Sequence, residues 1–161
     1  MEKIKKTNVM RLLEKECIAY TVVTYPVDEN DLSGEHVAKA LGQDPRDVYK
    51  TLVAHGDKTG YLVACIPVAE SIDLKALARV SGNKRVEMLQ MKALLPVTGY
   101  IRGGCSPIGM KKKFPTYVEE AALERDKLYV SAGMRGMQVC LSPSDLIRAA
   151  QATLASILAQ P

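Results

Sequence analysis

Val48-Tyr49-Lys50-Thr51-Leu52-Val53-Ala54-His55-Gly56-Asp57-Lys58-Thr59-Gly60-Tyr61-Leu62-Val63-Ala64-Cys65-Ile66-Pro67 decides the architecture. Both arms are rich in β-branched, aliphatic and aromatic residues, and the centre, Gly56 to Gly60, is polar and bounded by glycines. The arms therefore read as two strands, 48–55 and 61–67, joined as a hairpin. Upstream, Ser33 sits as an N-cap with Leu32 and Val37 spaced for a hydrophobic staple, and Gly42 closes the helix they start. The run from Tyr20 to Tyr25 reads as a strand ended by Pro26, and Val9, Leu12, Leu13 and Glu16 mark a short amphipathic helix before it. Downstream, Asp73 caps a helix through Arg79 that Gly82 stops. Glu87 to Leu95 reads as a short helix flanked by strand, and Thr98 to Pro115 as an ordered loop or a strand interrupted by one.

A second hairpin follows, with arms Leu128–Ser131 and Met137–Leu141 around Gly133-Met134-Arg135-Gly136. Ser142 then Pro143 open the last helix in the favoured order of cap and first-turn proline. Its apolar face is expected to include Leu146, Ile147, Ala150, Leu154 and Ile157. Hairpins interleaved with helices imply an α/β fold in which helices surround a mixed sheet, not a doubly wound parallel one. The 161 residues suit a single domain, 1–161.

Composition excludes several classes. Hydrophobic residues make up 47% and charged residues 25%, an ordinary globular balance. With no Trp and one Phe, the chain lacks the aromatic platforms of base-stacking modules. The net charge of +4 permits contact with a polyanion without demanding it, and its densest basic run is Lys111-Lys112-Lys113. The four cysteines at 17, 65, 105 and 140 form no CxxC pair, and only His36 and His55 stand by to help them, so no metal or other cofactor is expected. Cys65 and Cys140 lie in apolar runs and read as core residues. Met1 to Thr7 is charged with no apolar segment behind it, and no stretch is long enough to span a bilayer. A reducing cytoplasm is the expected setting, with no membrane partner.

The most unusual local sequence is Gly103-Gly104-Cys105-Ser106-Pro107-Ile108-Gly109, where glycines allow a backbone to approach a ligand closely. A tight turn would need the same composition. The stretch matches neither a dinucleotide fingerprint nor a phosphate-binding loop ending in Gly-Lys-Ser/Thr. Lys50, at the start of an otherwise apolar strand, reads either as a solvated edge residue or as a cation in a cleft that meets phosphate or a ribose hydroxyl. Cys105 would need a base to act as a nucleophile, and neither histidine lies beside it in sequence.

Taken together, Val48-Tyr49-Lys50-Thr51-Leu52, Thr98-Gly99-Tyr100, the 103–109 loop with its lysine run, Pro115-Thr116 and Tyr129 to Gly136 resemble the YbaK/EbsC family of aminoacyl-tRNA deacylases. That family is related to the editing domain of some prolyl-tRNA synthetases, and the resemblance runs along nearly the whole chain. It implies a mixed, barrel-like sheet around a small pocket and removal of mischarged cysteine from tRNA(Pro), with Cys-tRNA(Cys) as a second substrate. Lys50, Gly103 and Gly104 are then the catalytic positions. Tyr25, Asp28, Thr51, Ser106, Pro107, Ser131 and Gln138 bind substrate, and Lys111, Lys112 and Lys113 contact RNA. The resemblance further implies that the substrate's own thiol attacks its ester, that the 3′ acceptor end is the ligand, and that prolyl-tRNA synthetase is a candidate partner. Relatives of the cysteine-specific type often carry aspartate where Gln138 stands, and an aliphatic residue where Cys105 stands. Proline or alanine release, a non-catalytic RNA- or synthetase-binding module and a Cys105 thiol hydrolase are the alternatives.

Overall fold

The computed structural model of the chain describes residues 6–160, so the first residues of the charged Met1–Thr7 segment and Pro161 lie outside the described residues. Helix α1 spans Asn8–Lys15, strand β1 Thr21–Thr24 and helix α2 Gly34–Leu41. The Ser33 hydroxyl accepts the His36 N–H at the start of α2, and Gly42 ends it with φ 65°, a left-handed conformation that glycine adopts without penalty. The central hairpin is β2, Tyr49–Gly56, paired antiparallel with β3, Gly60–Pro67. Asp73 caps α3, Leu74–Ser81, by accepting from the Lys75 and Ala76 amides. After β4, Val86–Met88, a 3-10 turn and the short helix α4, Leu94–Thr98, lead into a loop from 99 to 115. The helical segment therefore begins and ends a few residues later than its sequence suggests, and the loop contains no strand.

Strand β5, Thr116–Glu119, and the hairpin β6, Leu128–Ser131, with β7, Met137–Leu141, follow. Helix α5, Pro143–Ala150, is capped by Ser142. It stops where Gln151 turns left-handed at φ 50°, and the chain then forms β8, Thr153–Ala155. The expected helical face thus ends at Ala150. Leu154 lies on a strand, and Ile157, fully buried, reaches the core from beyond it.

The mixed sheet is divided in two. One sheet has the order β1-β7-β6, the other β4-β2-β3-β5-β8, with β5 parallel to both β3 and β8. They meet where Val48 bridges Tyr129 and the Tyr129 amide bonds the Asp47 carbonyl at 2.8 Å. The sheets wrap a shared core without closing into a barrel, because β1, β4 and β8 remain edges. Val63 and Cys65 of β3, Val130 and Val139 of the other sheet, Leu13 of α1 and Leu146 of α5 form the main core. The opposite face of β3, with Leu62, Ala64 and Ile66, packs on Leu77 of α3. Burial on both faces explains the unbroken apolar run of β3.

Glu119, only 4% exposed, pins this arrangement. Its Oε1 accepts the buried Ile157 N–H at 3.0 Å and its Oε2 the Ala121 N–H at 2.7 Å. Glu119→Ala orphans both amides and is expected to cost about 3 kcal/mol in urea unfolding. Glu119→Gln keeps an acceptor for one of them and is expected to lose about half as much.

Candidate active site

A cavity of about 140 Å³ opens where the two sheets meet. Its floor comes from the start of β2, with Val48, Tyr49, Lys50 and Thr51, and from Val130, Ser131 and Gln138 of the second sheet. Tyr25, just beyond β1, and Gly34 and Val37 of α2 form one wall, and Gly103 and Cys105 of the loop another. Lys50, Thr51, Tyr25, Gly103, Ser131 and Gln138, far apart in sequence, are thus brought together.

Lys50 donates to the Val68 carbonyl at 3.2 Å, and among the described residues no carboxylate pairs with it. The cation is half-buried and held by one neutral acceptor, which leaves N–H donors for an anion or hydroxyl entering the cavity. Gln138 is 5% exposed, and its Oε1 accepts from Nε2 of Gln43 at 2.8 Å. This fixes the amide of Gln138 and leaves its N–H₂ group as the donor end. Gln43 stands 95 residues away, just after the left-handed Gly42, and nothing in its sequence context marks it. Among the described residues two buried side-chain polar atoms have no partner, Gln43 Oε1 and the Tyr49 hydroxyl. Burial holds the Tyr49 hydroxyl protonated far above its ordinary range, so Tyr49 remains a neutral donor.

The glycine loop is clamped from several sides. Arg135 Nε donates to the Arg102 carbonyl at 2.7 Å, and the Tyr100 hydroxyl to the Ile108 carbonyl at 2.6 Å. Gly103 has φ 85° and faces the cavity. Gly104 does not. It is buried against the turn between β6 and β7, and its N–H is taken by the Ile101 carbonyl at 2.9 Å, so it holds no free oxyanion donor. Its requirement for glycine is steric, since a Cβ there would meet Met134 and Arg135 backbone atoms at 3.1 Å.

Other expected site residues lie elsewhere. Ser106 is fully buried, and its Oγ accepts the Ile108 N–H, a loop brace. Asp28 is outside the cavity, 3.8 Å from the His36 ring. Pro107, Lys112 and Lys113 border a separate cleft that shares no lining residue with the cavity. Lys113 donates to the Ala150 and Gln151 carbonyls, satisfying the end of α5, and Lys111 donates to the Pro96 carbonyl.

Cys105 lines the cavity, but burial pushes its thiol up to about 12. His36 lies against Asp28 and Asp31 and His55 meets the Tyr61 ring edge to face, so neither serves it as a base. A thiol held neutral at pH 7–9 is a poor nucleophile. Cys105→Ala is expected to keep turnover within about threefold of wild type in a single-turnover deacylation assay, against the losses of several orders seen when a covalent nucleophile is removed.

Comparison with known proteins places this geometry. The chain is 49% identical, over 95% of its length and 93% of the relative's, to EbsC of Enterococcus faecalis, which is named as a Cys-tRNA(Pro)/Cys-tRNA(Cys) deacylase. It is 26% identical, over 91% of its length and 88% of the other, to the multifunctional Ser/Thr-tRNA deacylase ProXp-y of Escherichia coli K12. The same fold occurs in a crystal structure described as a trans-editing enzyme for prolyl-tRNA synthetase, at TM-score 0.81 and 20% identity, covering 97% of this chain and 100% of that one. The sequence profile of the aminoacyl-tRNA editing domain matches residues 29–149, a span holding every cavity residue named above except Tyr25. The chain belongs to the aminoacyl-tRNA editing domain family.

Proposed function

We propose that the chain is a trans-editing deacylase that removes mischarged cysteine from tRNA(Pro), and from tRNA(Cys) as a second substrate. The observation that carries this reading is the cavity itself, which is small and sets the polar groups of Lys50, Gly103, Ser131 and Gln138 among valines and a leucine, in a chain of the editing-domain family. Residues 1–161 act as one editing unit in the cytoplasm, and the chemistry calls for no metal or other cofactor.

The ester linking an amino acid to the terminal ribose is already activated, so positioning contributes most, up to about 7–11 kcal/mol in well-oriented intramolecular reactions. The substrate thiol attacks its own carbonyl carbon. A C–S bond forms, the ester C–O bond breaks, and the thiol proton ends on the ribose oxygen, leaving a thiolactone and free tRNA. Lys50 and the Gly103 backbone orient the ester, while the Gln138 N–H₂ group meets a polar atom of the aminoacyl group. Among the described residues no histidine or carboxylate lines the cavity, and burial keeps the Cys105 thiol neutral, which fits this scheme. A small pocket separates substrates differing by one methylene by only about 1–3 kcal/mol, whereas a substrate thiol used as reagent rejects alanine by chemistry.

The test is a panel of cysteinyl-, seryl-, prolyl- and alanyl-tRNA incubated with the enzyme. Release of cysteine ahead of the others supports the reading, and release of none refutes it.

RNA contact through the lysine run narrows to Lys112, because Lys111 and Lys113 are engaged with backbone carbonyls. Lys112→Ala is expected to reduce the salt slope of tRNA binding by roughly 0.7–0.9 units. An unchanged slope would move the RNA face to Lys84, Arg85 and Arg135. Prolyl-tRNA synthetase is the partner whose errors this activity would correct.

A further inference from the structure

Gln138 sits on β7, the middle strand of its sheet, paired with Val23 on one side and Ser131 on the other. Its backbone is therefore fixed, and at 5% exposure its side chain keeps one freedom, rotation of the terminal amide. That torsion is broad and close to two-fold. The two ends of the amide are alike in size and opposite in chemistry, since one accepts and the other donates. The end that faces the cavity is settled by whatever holds the other end. That group is Gln43, whose Nε2 donates to Gln138 Oε1 at 2.8 Å.

Gln43 is itself placed by its backbone. Its N–H bonds the Ala38 carbonyl at 2.9 Å in the left-handed turn that ends α2, and the next residue, Asp44, is ion-paired with Arg125 at 3.3 Å. Its side chain does little for the fold. The bond to Gln138 is the one it makes among the described residues, and its Oε1 is buried without a partner there. A buried acceptor left unpaired costs stability. Leucine would fill much the same volume without that cost, so packing does not account for an amide at this position.

We propose that Gln43 is a positioning residue that sets the polarity of the cavity, holding the Gln138 amide so that a donor faces the aminoacyl group. Its role in turnover rests on the deacylase reading of the cavity. An N–H₂ end attracts the ester carbonyl or a side-chain heteroatom of the substrate. It repels the α-ammonium, which carries donors only. The polarity of one amide thus fixes which way round the aminoacyl group enters.

Two measurements separate this role from a structural one. The first is a double-mutant cycle in kcat/KM for cysteinyl-tRNA. Q43L is expected to lower kcat/KM about tenfold when Gln138 is present, and by less than about twofold in a Q138L background, because its effect passes through that amide. Q43E is expected to lose more than Q43L, since an ionised carboxylate only accepts and draws the Gln138 N–H₂ group away from the cavity. The second is hydrogen exchange of side-chain amides in 15N-labelled protein near pH 8, with the Gln138 signal identified by its loss in Q138L. In the wild type its N–H₂ protons face the open cavity and exchange fast. In Q43E they are bonded to the new carboxylate and exchange about tenfold more slowly or less. Dispersed backbone spectra report that each variant is folded. Cysteine release with equal losses from Q43L in both backgrounds would make Gln43 a structural residue and overturn the inference, while the deacylase stands. Unchanged Gln138 exchange in Q43E would overturn it as well. Slowed exchange in a protein that releases no amino acid would uphold control of the cavity's polarity by Gln43 and refute the deacylase.

Discussion

Lys50→Ala lowers kcat/KM for cysteinyl-tRNA by about a hundredfold or more, the loss seen when one positioned transition-state donor is removed. Lys50 belongs to a strand paired with β3, opposite Ile66, so the backbone that carries it is fixed by the hairpin and not by the lysine. Its side chain makes one bond, to the Val68 carbonyl, which lies at the cavity wall and accepts solvent once the lysine is gone. The fold therefore survives, and the urea midpoint shifts little. Lys50→Arg is expected to recover only part of the activity, because a planar fork does not reproduce the compact ammonium in a cavity of this size. Wild-type turnover by a folded Lys50→Ala protein would remove Lys50 from the site.

Gly104→Val lowers kcat/KM by about a hundredfold, for a steric reason. A Cβ at this position meets Met134 Cα, Met134 C and Arg135 N at 3.1 Å, and backbone atoms cannot swing aside as a flexible side chain does. The loop must lift from the β6–β7 turn, carrying Gly103 and Cys105 away from the cavity. A misplacement near 1 Å costs about that factor in a reaction that depends on positioning. Gly82→Ala is the control. Gly82 has φ 80° with nothing within 4 Å of its would-be Cβ, so the substitution strains the end of α3 without displacing anything. It is expected to lose about 1 kcal/mol of stability and to keep its activity. Gly104→Val with wild-type kcat would show that the loop does not hold the substrate.

Elements with their own local signals were legible in the sequence. Ser33 and Gly42 bound α2, Asp73 and Gly82 bound α3, and two glycine-bearing turns announce the two hairpins. Strands β5 and β8 were not legible, because parallel pairing leaves no turn between partners and their ladders join residues far apart. The apolar spacing of α5 continues through Leu154 and Ile157, and only the left-handed Gln151 shows that the helix has ended. The site divides the same way. Lys50, Tyr25, Ser131 and Gln138 were named through family resemblance and share one cavity. Gln43, Val37 and Val68 reach the site by tertiary packing alone. Gly104, Ser106 and Pro107 share the loop's unusual composition, yet their work is to brace it.

Single-turnover release of cysteine and of serine from the same tRNA(Pro) tests the central claim most directly, because the two substrates differ only in sulfur against oxygen. Attack by the substrate thiol predicts cysteine release at least about a hundredfold faster than serine release. Equal rates, or faster loss of serine, would contradict it and make water the attacking group in the cavity.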